Sequence, residues 1–157
     1  MDGLPTLDEV YRKFGETSEA AQLLETELGT LLLWEQCVQE DLIGEGGKRA
    51  TEIMKGINRQ TLGALVKSAK DKNLGVDEME ALLDRALRER NRLSHSFYRQ
   101  HNFRRNSGEG RAAMMKDLED IHTTIFGGFK ALMLLGGTDL EALAATPFAL
   151  PTGHVPI

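Results

Sequence analysis

Between residues 90 and 98 the chain reads Arg-Asn-Arg-Leu-Ser-His-Ser-Phe-Tyr, bringing Arg90, Asn91, His95 and Tyr98 into one short stretch. These residue types suit phosphate chemistry. A guanidinium is a planar, permanently charged fork that matches phosphate oxygens, and an imidazole, with an unperturbed pKa of about 6.5, can take or give a proton near neutrality. On a helical wheel of about 100° per residue, counted from Met79, the side chains of Met79, Leu82, Leu83, Ala86, Leu87, Leu93 and Phe97 fall within about 80° of one direction. Arg90 falls at about 20°, in the middle of that apolar stripe. An unpaired charge is costly there, so Arg90 must pair with an acid of another helix, reach water along its own stem, or face a wet interface. Asn91, Tyr98 and His95, at about 120°, 100° and 160°, line one flank as a polar edge. Arg90 and His95 stand about 140° apart, so they meet one phosphate only through arginine's length, helix distortion or a second subunit.

The run Arg90-Asn91-Arg92-Leu93-Ser94-His95, with Phe97 following, resembles the signature of the HEPN family (higher eukaryotes and prokaryotes nucleotide-binding). That signature is an arginine, four to six residues and a histidine on a late helix of an all-α bundle, with Asn, Asp or His common after the arginine. The resemblance covers residues 17–136, the long helices of the chain. It implies a metal-independent endoribonuclease acting as a homodimer, with two motifs converging on one cleft, the ribose 2′-hydroxyl as nucleophile and RNA as substrate. On that reading Arg90, Asn91 and His95 are catalytic: His95 moves protons, Arg90 stabilises the phosphorane, and Asn91 orients its neighbours. No cofactor and no metal is implied, and a toxin-like role with a cognate antitoxin is compatible with it. A toxin subgroup carries tyrosine two residues after the histidine, where it is modified; here that position is Phe97, so this regulation does not transfer. A catalytically silent HEPN-like module binding nucleotide, RNA or a protein is the rival reading, and a helical scaffold with an accidental Arg-His spacing is a third.

Charge points the same way locally but not globally. The chain has 19 Lys and Arg against 24 Asp and Glu, a formal net charge of −5. Between positions 85 and 111, however, Arg85, Arg88, Arg90, Arg92, Arg99, Arg104, Arg105 and Arg111 face only Glu89 and Glu109. A solvated helix face is the plainer account of a charge run, yet arginine is the phosphate-matching choice of cation. Arg88, Arg92, Tyr98, Arg99, Arg104 and Arg105 are therefore the candidate RNA-binding residues.

The elements that must position these groups read as helices throughout. With 157 residues and 41% hydrophobic composition, the chain suits one domain, and its pattern predicts an all-α, four-to-five-helix bundle with short N- and C-terminal helices. Thr6-x-x-Glu9 predicts a short first helix ending at Gly15, and Thr17 or Ser18 opens a second that breaks at Gly44-Glu45-Gly46-Gly47. A third region spans about 48–72 with a kink near Ile57 to Gln60. Asp77-x-x-Glu80, with Val76 before it, caps the fourth helix, and residues 102–110 form a basic loop. A fifth helix runs from about Glu109 to Leu135, and Thr138-x-x-Glu141 caps a last short one. The domain is placed at 1–145, with 146–157 as a proline-containing extended tail.

Other chemistry-bearing residues read as structural. Gly44 to Arg49 lacks the preceding strand and the hydroxyl residue after lysine that a phosphate loop needs, which makes it a helix-breaking turn. Cys37 has no second cysteine and reads as a buried thiol; Met114, Met115 and Met133 read as core; His122 and His154 lack metal-ligand company. The start of the chain shows no signal-peptide pattern and no apolar run approaches a membrane span, so a cytoplasmic protein with no membrane partner is expected.

Overall fold

Thr6 and Glu9 close the reciprocal cap at the start of α1 (Leu7–Gln39): the Glu9 amide donates to Thr6 Oγ1 at 3.2 Å, and the Thr6 amide donates to Glu9 Oε2 at 2.7 Å. The helix does not stop at Gly15. Thr17 and Ser18, read from sequence as a new start, donate their hydroxyls back to the carbonyls of Lys13 and Phe14 at 2.7 and 2.9 Å. A mid-helix glycine costs roughly 0.5–1 kcal/mol relative to alanine. Burial of Val10 and packing of Phe14 against the core offset that cost and hold the first turns in line with the rest.

The computed structural model describes residues 3–44, 46–73, 79–145 and 147, and among them every element is helical. After α1 come α2 (Lys48–Asn58) and α3 (Leu62–Asp71), then α4 (Glu80–His95) and α5 (Phe97–His101). A 3₁₀ turn follows at Asn102–Asn106, and α6 (Gly108–Leu135) and α7 (Leu140–Ala144) complete the order. The expected kink near residue 60 is a full break, because Thr61 caps α3 by accepting from the Ala64 amide at 3.3 Å. The cap of α7 is Asp139, one residue after Thr138: its carboxylate accepts from the Glu141 and Ala142 amides at 3.0 and 3.3 Å. Residues 74–78, with the Asp77 cap and Val76, and the tail apart from Pro147 lie outside the described residues.

α1, α4 and α6 form the centre. Arg111 at the start of α6 donates to the Pro5 carbonyl before α1, and Gly136 at the end of α6 meets Glu27, so α1 and α6 run parallel. α4 runs against both, since Ala86 near its middle meets Gly128 of α6 and Arg92 near its end meets Asp117. Leu24, Leu28, Leu83, Ala86, Leu93, Met114, Leu118, Ile121, Ile125 and Leu132 fill the space between them. Gly128 lets the helices close up, as a Cβ there would sit 3.3 Å from the Ala86 methyl. α2 and α3 pack on the C-terminal half of α1, where Ile57 lies over Gly29 and Lys72 pairs with Glu35 at 2.9 Å.

Gly110 fixes the basic turn to α6. A Cβ there would lie 2.7 Å from both the carbonyl carbon and the Cα of Arg104, which are backbone atoms that cannot swing aside. Gly127, in the interior of the same helix, has nothing within 4 Å of an added Cβ. Gly127→Ala should therefore raise stability by about 0.5–1 kcal/mol through helix propensity, whereas Gly110→Ala should lower it by about 1–3 kcal/mol. Thermal melts of the two variants side by side test the close approach, and equal melting temperatures would contradict it.

Candidate functional site

The apolar face of α4 packs as its spacing demands, with Leu83, Ala86 and Leu93 buried, and it carries Arg90 inward as far as Glu25 of α1. Arg90 Nε and Nη2 lie 2.9 and 2.8 Å from Glu25 Oε1, and Nη1 donates to Asn91 Oδ1 at 3.1 Å. The arginine side chain keeps 24% of its surface and the glutamate 30%, so this is a half-buried pair at the rim of the core. Of the three resolutions open to Arg90 from its sequence position, it takes the pair. A guanidinium has five N–H bonds, and these contacts leave some of them free for another acceptor.

His95 is the last residue of α4, and its ring is exposed with no partner among the described residues. The helix ends there because Ser96 leaves the helical region, and α5 begins at Phe97. Phe97 is still buried, packing at 5.7 Å between ring centroids from Phe14, and Tyr98 lies tilted against Phe14 at 5.1 Å while remaining 40% exposed. Partial burial, together with neighbouring Tyr11, raises the Tyr98 phenol above its ordinary pKa, and Arg105 pulls it down more weakly. Arg90 and Asn91 are thus joined by a hydrogen bond, His95 stands free at the helix end, and Tyr98 belongs to the aromatic cluster under α5.

Arg92 lies in a different setting from the rest of the arginine run. Its Nη1 and Nη2 donate to the two oxygens of Asp117 of α6, both at 2.7 Å, and Nε and Nη2 reach Glu89 Oε2 at 3.1 and 2.7 Å. Its Nη1 also donates to Gln100 at 3.2 Å. Asp117 in turn accepts from His101 Nε2 at 2.7 Å, and Arg104 Nη1 lies 3.1 Å from His101 Nδ1. A guanidinium can only donate and a carboxylate only accept, which assigns the proton of His101 to Nε2. The Arg92 hydrogen bonds, helped by His101 and opposed by burial, hold the Asp117 carboxyl below the usual carboxylate range. The same pairing, with Glu89, raises Arg92. His101 is 4% exposed and packs at 4.5 Å against Phe97.

This network is absent from the sequence reading. One signal was available: His101 follows Phe97 by four residues, one helical turn, and so shares its buried face. Arg92 is an ion-pair anchor here, and a phosphate would have to compete with two carboxylates for it. Arg88, Arg99, Arg104 and Arg105 remain exposed.

Elsewhere the outcomes are structural. Arg49 after the glycine run forms a two-point pair with Glu40, Nε to Oε2 and Nη2 to Oε1, each at 2.9 Å. Cys37 is half-buried rather than buried. Met114 is fully buried and Met115 and Met133 pack against the core. His122 stacks on Phe126 at 5.6 Å beside a shallow groove of about 280 Å³; burial, and secondarily Lys13, lowers its pKa. His154 lies outside the described residues. Among the described residues no group of His, Cys, Asp and Glu is arranged to hold a metal ion, and no helix is long and apolar enough to cross a membrane. No family model, no curated protein and no solved structure matches the chain.

Proposed function

We propose that the chain is an HEPN-like, metal-independent endoribonuclease whose site forms between two copies. The observation that carries this reading is that Arg90, after meeting Glu25 and Asn91, keeps free N–H donors on the same helix end where the His95 ring stands in solvent. In the proposed reaction His95 takes the proton of a ribose 2′-hydroxyl, whose oxygen attacks the adjacent phosphorus. The P–O5′ bond breaks, and His95 of the partner subunit protonates the leaving 5′-oxygen. Arg90 stabilises the added negative charge on the phosphorane, and Asn91, bonded to Arg90 Nη1, sets the guanidinium's plane. Two histidines serve because the attacking 2′-oxygen and the leaving 5′-oxygen stand on opposite sides of the phosphorus in an in-line displacement, where one imidazole does not reach both at once.

Incubating the purified chain with RNA in EDTA tests the reading. Cleavage should persist, should leave 2′,3′-cyclic phosphate ends and should spare DNA, which lacks the nucleophile. Loss of cutting in EDTA, or equal cutting of DNA, overturns it. A second reading, a catalytically silent helical module binding RNA, nucleotide or a protein, is favoured by two observations. His95 has no orienting partner among the described residues, and Arg90 already has a carboxylate.

A further inference from the structure

The segment from Phe97 to Arg111 carries four arginines and one acid, Glu109. Their hydrogen bonds go to neutral acceptors where they make any. Arg99 donates to the His95 carbonyl at 2.7 Å, Arg104 to His101 Nδ1 at 3.1 Å, and Arg111 to the Pro5 and Arg105 carbonyls at 2.7 and 3.1 Å. Arg105 contributes only its carbonyl, and among the described residues none of the four lies in an ion pair. Arg49, Arg90 and Arg92 are each matched by carboxylates, whereas this segment gathers four arginines without an ion pair between positions 99 and 111.

Phe103, in the middle of it, is 75% exposed, the largest exposure among the bulky apolar side chains of the described residues. Its turn is held from several sides. His101 beneath it is fastened to Asp117, Gly110 receives the Arg104 backbone, and Arg111 holds the Arg105 carbonyl. Asn102 adopts φ 46° and ψ −119°, a strained conformation for a residue with a side chain, which persists only where the surroundings impose it. The fold therefore fixes a bare aromatic ring in water on the same short segment as arginines that form no ion pair.

We infer that α5 and the 3₁₀ turn form a binding surface for unpaired RNA, with Phe103 stacking on a base and Arg99, Arg104 and Arg105 meeting the neighbouring phosphates. An aromatic ring can stack only on a base that is not already enclosed in a duplex, and arginines supply the sequence-independent attraction to the backbone. This rests on the RNA reading above and goes beyond it by naming the strand state of the substrate.

Fluorescence anisotropy with a labelled, unstructured RNA of about twelve nucleotides tests it, using a His95→Ala chain so that cutting does not intervene. Single-stranded RNA should bind more tightly than a duplex of the same sequence. Phe103→Ala, which removes an exposed ring and should leave the melting temperature unchanged, should weaken single-strand binding about 5- to 100-fold. Arg105→Ala should weaken it and lower the dependence of log K on log salt by about one phosphate contact. If the chain binds RNA but Phe103→Ala binds as well as its parent, or duplex binds equally, the surface is refuted while the RNA reading stands. If no form binds RNA, as for a surface that serves an acidic protein, both fall. Binding with this pattern in a protein that never cuts RNA supports the surface and removes only the nuclease.

Discussion

Asp117→Ala should melt well below the parent protein, by about 4–12 °C at neutral pH. The carboxylate joins three parts of the fold: Arg92 at the end of α4, His101 at the end of α5, and its own helix α6. Removing one partner from a buried ion pair costs about 3–5 kcal/mol, because the charge left behind keeps its desolvation penalty. Arg92 and Asp117 retain 27% and 24% of their side-chain surface, and Glu89 stays on Arg92. Water can therefore reach the vacated site, and about 2–3 kcal/mol is the reasonable scale. At about 2–4 °C per kcal/mol for a chain of this size, that gives the stated fall.

The pH dependence of the same variant has a definite sign. Asp117 is held below its ordinary carboxylate pKa in the folded state, so its contribution is fully present above the unfolded value of about 4 and is lost as pH falls through the folded value. The gap between parent and Asp117→Ala should be constant from neutral pH to about 5 and narrow below that. Calorimetry across that range reads it directly. A melting temperature that matches the parent's at pH 7 would show that the network is not what fastens the basic turn.

Much of the frame is legible from spacing alone, because helix termini and apolar stripes are local. The limits of α6 follow from Ser107 capping the Gly110 amide and from Gly137 at φ +88° past its end. The burial of Leu83, Ala86 and Leu93 follows from a 3.6-residue period. Where hydroxyls can either cap or back-bond, the local pattern is ambiguous: Thr17 and Ser18 suit a new N-terminus, and only the docking of Val10 and Phe14 decides for one long helix. The site was half legible for a related reason. Arg90's position in an apolar stripe announces a partner, but Glu25 lies 65 residues away and is reached only once α1 and α4 are packed antiparallel. His101 falls on the same apolar face as Phe97, so its burial is legible, but its partner Asp117 belongs to α6 and is met only once that helix is packed against α4 and α5.

His95→Ala should reduce RNA cleavage about 10²- to 10⁴-fold, the usual worth of acid–base catalysis, with little change in melting temperature because its ring is exposed and unpartnered. Arg90 is the harder residue, since one guanidinium both braces Glu25 and, in the proposed reaction, meets the phosphorane. Arg90→Leu should lower cleavage about 10²- to 10³-fold. It should also cost stability, but only about 1–2 kcal/mol, because Glu25 at 30% exposure can recover much of its hydration. The two roles separate in the double variant Glu25→Leu with Arg90→Leu. It removes both charges and extends the apolar contact between α1 and α4, so stability should return to the parent's level or above. Cleavage should stay lost, because the missing group is the one that stabilises the transition state rather than the one that holds the helices. Recovery of cleavage along with stability would make Arg90 a brace alone. Undiminished cutting by His95→Ala would remove the histidine from the reaction and leave the binding module as the function to pursue.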